Sequence, residues 1–251
     1  MPEFPRAVLF DLDDTIIRAH GRPEIAWQTV IGEFTEALAP LAPGAVLAAI
    51  GASADAFWAE PERHRIWRQR LREARREIVA AGFAELEKTG LAVPPRAVQE
   101  RLADRFSDYR NENLSLFPDA HATLDALRDR GVRLALITNG AALHQREKIA
   151  RFDLAHRFDH IQIEGEHGFG KPEERAYLHA MEALGVTAPD TWMIGDNLEW
   201  EVEVPQRLGI YAIWMDVHGE GLPPGSVVRP DRIIRSLGEL LPAAPPALRS
   251  A

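Results

Sequence analysis

A chain of 251 residues with 46% hydrophobic and 27% charged content can build a real core and fits one or two domains. Its formal charge of −9 excludes the basic footprint of non-specific nucleic-acid binding and disfavours docking on anionic lipid. The absence of cysteine removes disulfides, thiolate metal sites and cysteine nucleophiles together.

The start, Met1 to Arg6, has no basic stretch leading into an apolar one, so no signal peptide is expected and a cytoplasmic location is the default. The first predicted strand is the apolar run AVLF at 7–10, and three carboxylates follow within four positions: Asp11, Asp13 and Asp14. Period-two geometry puts Asp11 and Asp13 on one side of the departing chain. Clustered carboxylates at the end of a buried strand are expensive unless something compensates them.

From 18 to 114 the pattern is helical, with candidate helices over 24–39, 57–88 and 95–113. Connections inside a sheet are far shorter, so this stretch reads as an inserted helical cap (18–114) in a catalytic core made of 1–17 and 115–251. The apolar region at 37–52 is broken by Pro40, Pro43 and Gly44 and is too short to span a bilayer. The basic stretch RHRIWRQRLREARR (63–76) is read as an exposed helix whose arginines cover apolar surface, in preference to a lid that contacts an anionic substrate. Trp58 and Trp67 are assigned to the cap core. His20, at the hinge, is placed where it could face the strand ends.

Beyond 114, four more short apolar runs read as strands: 132–137, 160–163, 191–194 and 210–215. Helical patterns at 118–131 and 172–185 lie between them, stopped by Gly131 and Gly185. Alternating strands and helices predict an α/β fold, a Rossmann-like parallel sheet with right-handed crossovers and ligands at the carboxyl ends of the strands. The tail from 241 to 251 is Pro/Ala-rich and expected to be disordered.

Every predicted strand ends in polar sequence. Thr138-Asn139-Gly140 follows the second, Gly170-Lys171-Pro172 comes after the third, and Gly195-Asp196-Asn197 closes the fourth, with Glu199 and Glu201 behind. Parallel strands share one rim, so Asp11, Asp13, Thr138, Lys171 and Asp196 should converge. Three or four carboxylates need a counter-charge, and a hard dication such as Mg2+ is the natural partner. Thr138 and the N–H groups opening the next helix suit an anion. Lys171 is one of only three lysines, with Lys88 and Lys148. In an arginine-rich chain that choice points to a compact ammonium in a specific fit. Together these are the parts of a phosphate site.

Other readings of these motifs fail on particular residues. A calcium loop starting at Asp11 would need glycine where Ile16 stands. GEHGFGKP (165–172) resembles a P-loop, but Pro172 sits where the metal-binding hydroxyl belongs. No pair of histidines has a spacing that marks a zinc site.

FDLDDT (10–15), ITNG (137–140), GKP (170–172) and GDN (195–197), in that order, resemble the four motifs of the haloacid dehalogenase superfamily of phosphohydrolases. Their spacing is similar to that of members with a helical cap between the first two motifs. The resemblance covers about 1–17 and 115–251. It implies that Asp11 is the nucleophile and that Asp13 is the general acid and base, with its backbone carbonyl touching the metal. Thr138 and Lys171 would hold the phosphoryl group, Asn139 would join them in substrate binding, and Asp196 would complete the Mg2+ site with Asp11 and Asp13. Many relatives carry a second aspartate where this chain has Glu201, so the metal shell is open between Glu201 and Asn197. The acid at Asp13 favours phosphate over halide chemistry, since the superfamily's dehalogenases lack it. The implied activity is Mg2+-dependent hydrolysis of a small phosphorylated metabolite through an aspartyl-phosphate. A phosphomutase acting on a sugar phosphate and a non-catalytic binder that keeps the fold are the alternatives.

Overall fold

The computed structural model describes residues 4–19 and 21–242. His20 and most of the Pro/Ala-rich tail, with the expectations placed on them, lie outside the described residues. The chain divides into two compact units, one from residues 4–18 and 115–242, the other from Ala19–Leu114. Arg18 falls in the first unit, one residue beyond the boundary expected from sequence.

The first unit is built on β1 (Ala7–Phe10), whose four residues are all fully buried. After β2 (Ile17–Arg18) the chain leaves for the helical unit, and it returns in β3 (Ser115–Leu116), antiparallel to β2. The alternating α/β run then follows: α7 (Ala120–Asp129), β4 (Arg133–Thr138), α8 (Ala142–Arg151), β5 (His160–Ile163), α9 (Glu164–His167), α10 (Glu174–Leu184), β6 (Thr191–Gly195), α11 (Val204–Arg207), β7 (Tyr211–Met215) and β8 (Arg232–Ile234). All six main strands run parallel, in the order β5-β4-β1-β6-β7-β8. Chain order reverses direction at β1, where β4 and β5 lie to one side and β6 to the other. Such a switch point opens a crevice at the carboxyl ends of the strands.

Near-continuous apolar strands are what a sheet covered on both faces requires. Ala7, Leu9, Ala135, Ile137 and Met193 meet the α10 face formed by Ala176, Tyr177, Ala180, Met181 and Leu184. The α10 spacing of i, i+1, i+4, i+5 and i+8 is that of one helical stripe. Gly185 ends that helix with φ 62°, a left-handed cap that costs glycine little.

The second unit is all helical: α1 (Pro23–Glu33), α2 (Thr35–Leu38), α3 (Pro43–Trp58), α4 (Pro61–Trp67), α5 (Leu71–Lys88) and α6 (Arg96–Glu112). The apolar run that prolines seemed to break becomes α3, because Pro43 sits in its first turn, where a missing N–H costs nothing. The segment expected as one helix over 57–88 is the last two residues of α3 followed by α4 and α5, which are separated at Arg68–Arg70. Trp27 stacks on Phe106 with ring centroids 3.6 Å apart, and Val30, Ile50, Val79, Phe83 and Leu102 pack around them. Where α5 crosses α3, a Cβ on Gly82 would lie 3.1–3.2 Å from the Ala49–Ile50 backbone, which is why a residue without one stands there. Trp58 packs against this core, and Trp67 meets Phe57 edge-on at 5.5 Å. No helix among the described residues is long and apolar enough to cross a membrane.

Candidate active site

The rim at the end of β1 is built by a tight turn. Asp11 N–H donates to Ile194 O at 2.9 Å, which extends the β1–β6 ladder by one residue. The Leu12 carbonyl then accepts from both Ile16 and Ile17 N–H, each at 2.9 Å, while Asp14 N–H donates to Ile17 O at 2.6 Å. Asp14 sits at φ 57°, a left-handed conformation that aspartate tolerates better than most residues. The turn fixes Asp11 and Asp13 at the switch point.

Asp11 is 7% exposed, Lys171 and Glu201 1% each. Lys171 Nζ donates to Asp11 Oδ1 at 2.5 Å and reaches Glu201 Oε1 at 2.8 Å. The other Asp11 oxygen accepts from the Thr15 hydroxyl at 3.2 Å. One ammonium thus serves two buried carboxylates, and the charges do not balance. Burial pushes Glu201 up to about 7, with Lys171 opposing and Asp11 adding. It also raises Asp11, against the pull of Lys171. Asp196 is driven well above the usual carboxylate range, first by burial and then by Glu201 and Asp11. Burial disfavours the Lys171 ammonium, yet Asp11 and Glu201 outweigh it and hold the amine charged.

Lys171 is held from behind as well. Asn139 Nδ2 donates to Lys171 O at 2.7 Å, and Lys171 N–H donates to Asn139 Oδ1 at 2.9 Å. The side chain expected to bind substrate is therefore committed to the Lys171 backbone. A Cβ on Gly170 would come within 2.4 Å of Asn139 Oδ1, so this clamp requires glycine there. Gly140 N–H donates to the buried Glu164 at 2.9 Å, which ties the loop after β4 to the start of α9.

Asp13 is met by residues that sequence reasoning left without a role. Lys148 Nζ donates to both its oxygens at 2.8 and 2.7 Å, and Gln145 Nε2 adds a bond at 3.2 Å. The same Gln145 amide donates to the Thr138 hydroxyl at 2.5 Å, so α8 aims both motif residues. A signal for Lys148 was present. It is as rare as Lys171, whereas Lys88 only pairs with Glu85 at 2.7 Å on an exposed helix surface.

Glu201 and Asn197 are also accounted for. Asn197 Oδ1 accepts from Glu199 and Trp200 N–H at 3.0 Å each, capping the π-helical turn at Leu198–Glu203. Glu201 Oε2 accepts from Asn197 N–H at 2.8 Å while its other oxygen faces Lys171. Among these rim groups the side chains suited to a hard dication are Asp11 and Asp196. Burial and neighbouring carboxylates disfavour both anions, in Asp11 despite Lys171, and a divalent cation bound to oxygen would offset that. The donor set fits Mg2+.

The basic stretch of the helical unit resolves largely into surface pairs. Arg65 bonds Glu62, Arg76 pairs with Asp104 at 2.7 Å, and Arg72 pairs with Asp108 and Asp104. Arg75 differs. It is half-buried, 5.4 Å from the Phe106 ring centroid, and burial followed by repulsion from Arg110 and Arg72 pulls its guanidinium down to about 10.

The family profile of haloacid dehalogenase-like hydrolases matches residues 5–209. Phosphoserine phosphatase of Thermus thermophilus is 38% identical over 174 residues, covering 69% of this chain and 61% of that protein. Glyceraldehyde 3-phosphate phosphatase of Methanopyrus kandleri is 26% identical over 208 residues, covering 83% and 82%. The magnesium-bound crystal structure of the HAD-hydrolase YfnB from Bacillus subtilis superposes with a TM-score of 0.67 at 24% identity, covering 94% of this chain and 97% of that one. That last likeness speaks for the fold alone.

Proposed function

Because the chain belongs to the haloacid dehalogenase-like hydrolases, we propose that it is a Mg2+-dependent phosphatase acting on small phosphomonoesters through an aspartyl-phosphate on Asp11. What supports this reading above all is the buried group of Asp11, Lys171 and Glu201 beside Asp196 at the switch point. Relatives with phosphatase names put small phosphorylated metabolites first among substrates.

In this reading an Asp11 oxygen attacks phosphorus in line and the ester P–O bond breaks. Asp13 in its protonated form gives its proton to the leaving oxygen, and the Lys148 ammonium and the Gln145 amide hold the carboxylate so formed. Asp13 then takes a proton from water, the water oxygen bonds to phosphorus, and the Asp11–phosphorus bond breaks to release phosphate. Lys171 holds a phosphoryl oxygen, as does the Thr138 hydroxyl, and Asn139 keeps Lys171 in register. Asp11, Asp196 and the Asp13 carbonyl would hold Mg2+, which supplies charge neutralisation for the phosphoryl oxygens. Phosphoryl transfer asks chiefly for such positioning and neutralisation.

The test is phosphate release across a panel of phosphorylated metabolites, with Mg2+ and with chelator. Release should require Mg2+, and Asp11→Asn should lower it by about 10⁴-fold or more. This variant keeps its fold, since Lys171 retains Glu201 as a one-to-one partner. Turnover retained in a clean Asp11→Asn preparation would sink the scheme. Isomerised sugar phosphate without free phosphate would indicate a mutase, and silence across the panel despite Mg2+ binding a binder.

A further inference from the structure

The sequence gives no zinc-like histidine spacing, yet three distant histidines meet on one flank of the core sheet. His160 opens the edge strand β5, His167 ends α9 and His179 lies on α10. One ring nitrogen from each lies within 4.8 Å of the other two. The ring centroids are 5.2 to 6.2 Å apart. All three side chains are half-buried, so the cluster is walled by protein and still open to solvent.

Hydrogen bonds set the tautomers. His167 Nδ1 lies 3.1 Å from Ile163 O, and a carbonyl only accepts, so this nitrogen carries the proton. His179 Nδ1 lies 2.8 Å from Gln162 Oε1. The orientation of that amide is fixed, because Gln162 Nε2 donates to Ala176 O at 3.0 Å. His179 Nδ1 therefore also donates. Both rings are left with an Nε2 lone pair that these bonds do not use. His160 Nε2 is buried and has no hydrogen-bond partner at all. Buried polar nitrogens are rarely left so.

We propose that His160, His167 and His179 form a binding site for a zinc-like divalent transition metal, separate from the acidic crevice. Ring N–H groups tied to a backbone carbonyl and a side-chain amide are the outer contacts that orient metal-binding imidazoles and fix their tautomer. Three neutral imidazoles without a carboxylate select Zn2+, Ni2+ or Cu2+ and reject Mg2+, which wants oxygen ligands. At Zn–N distances of about 2.0–2.1 Å a tetrahedral site needs nitrogens about 3.3 Å apart, so the rings close slightly around the ion. The fourth position falls to water. Bound metal would cross-link β5, α9 and α10, the three elements that flank the loop carrying Lys171.

The experiment uses untagged full-length protein, stripped with chelator and titrated with Co2+ and Zn2+ in excess Mg2+. One equivalent should bind, Co2+ should give visible ligand-field bands, and Zn2+ should raise the melting temperature. His160→Gln and His179→Gln should each weaken binding by more than about 100-fold. Gln162→Leu, which removes the contact orienting His179 together with the bond to Ala176 O but no metal ligand, should weaken it by about 10–100-fold. His167→Gln serves as the further variant if either of the others melts early without metal. Absence of stoichiometric Zn2+ and Co2+ binding would overturn the proposal, as would undiminished binding in all three histidine variants. Binding abolished by Asp196→Asn but kept in the histidine variants would place the ion in the crevice and overturn it equally.

Discussion

The two units use charge in opposite ways. In the helical unit Arg72, Arg76 and Arg105 pair with Asp104, Asp108, Glu33 and Glu112 over a finished aromatic core. These pairs face solvent, and each contributes little to folding. In the α/β unit Lys171, Asp11 and Glu201 are out of water, with more negative than positive charge among them. A buried group of that kind is weak evidence for stability and good evidence for function. Burial, rather than the number of ion pairs, separates the two.

The largest effect should come from cutting one partner in each unit. Lys171→Met leaves two carboxylates uncompensated and should cost about 3–5 kcal/mol in urea unfolding, along with nearly all phosphate release. Asp104→Ala, which removes the carboxylate shared by Arg72 and Arg76, should cost at most about 1 kcal/mol. Equal losses in the two variants would erase the contrast.

A Cβ on Gly195 would lie 2.0 Å from Glu201 Cγ. Gly195→Ala should therefore push Glu201 off Lys171, with a loss of about 1–3 kcal/mol and a drop in activity that Gly32→Ala in the helical unit, with open space around it, does not share.

The smallest effect concerns pH. Folded Glu201 keeps its proton up to about 7 against an ordinary value of 4.5, so between those values the folded state binds more protons than the unfolded one. Stability without divalent cation should then fall as pH rises from 5 to 7, by about 1–2 kcal/mol, and Asp11 and Asp196 act in the same direction. Glu201→Gln should flatten the slope, and so should Mg2+. A slope of the opposite sign would mean that Lys171 dominates the group.

Much of this was legible in the sequence because it depends on short-range pattern. Strands at 7–10, 132–137, 160–163, 191–194 and 210–215 appear in the sheet as expected, because continuous apolar runs leave few alternatives. β8 and the β2–β3 pair were missed, being two or three residues long with no periodicity to read. α3 was hidden by Pro43, which starts the helix rather than breaks it. At the rim the strand-end residues converge as parallel geometry requires. The contacts of Lys148 and Gln145 with Asp13 were not legible, since they span more than 130 residues and depend on how α8 docks. Asn139 and Glu201 were visible as residues but not as the supports of Lys171, because only packing shows where an amide or a carboxylate is spent. The histidine cluster escaped for the same reason.

The reciprocal bonds between Asn139 and Lys171 imitate one rung of a sheet with a side-chain amide in place of a peptide. They set the ammonium's address from the end of β4, and Gly170 and the Glu164–Gly140 bond bring the 31 intervening residues back to that rung. Insertions or grafted binding loops should be tolerated at the exposed Ala155–His156 step between α8 and β5, while the amine stays on station. An engineer can therefore vary that connection without touching the pieces that place the amine.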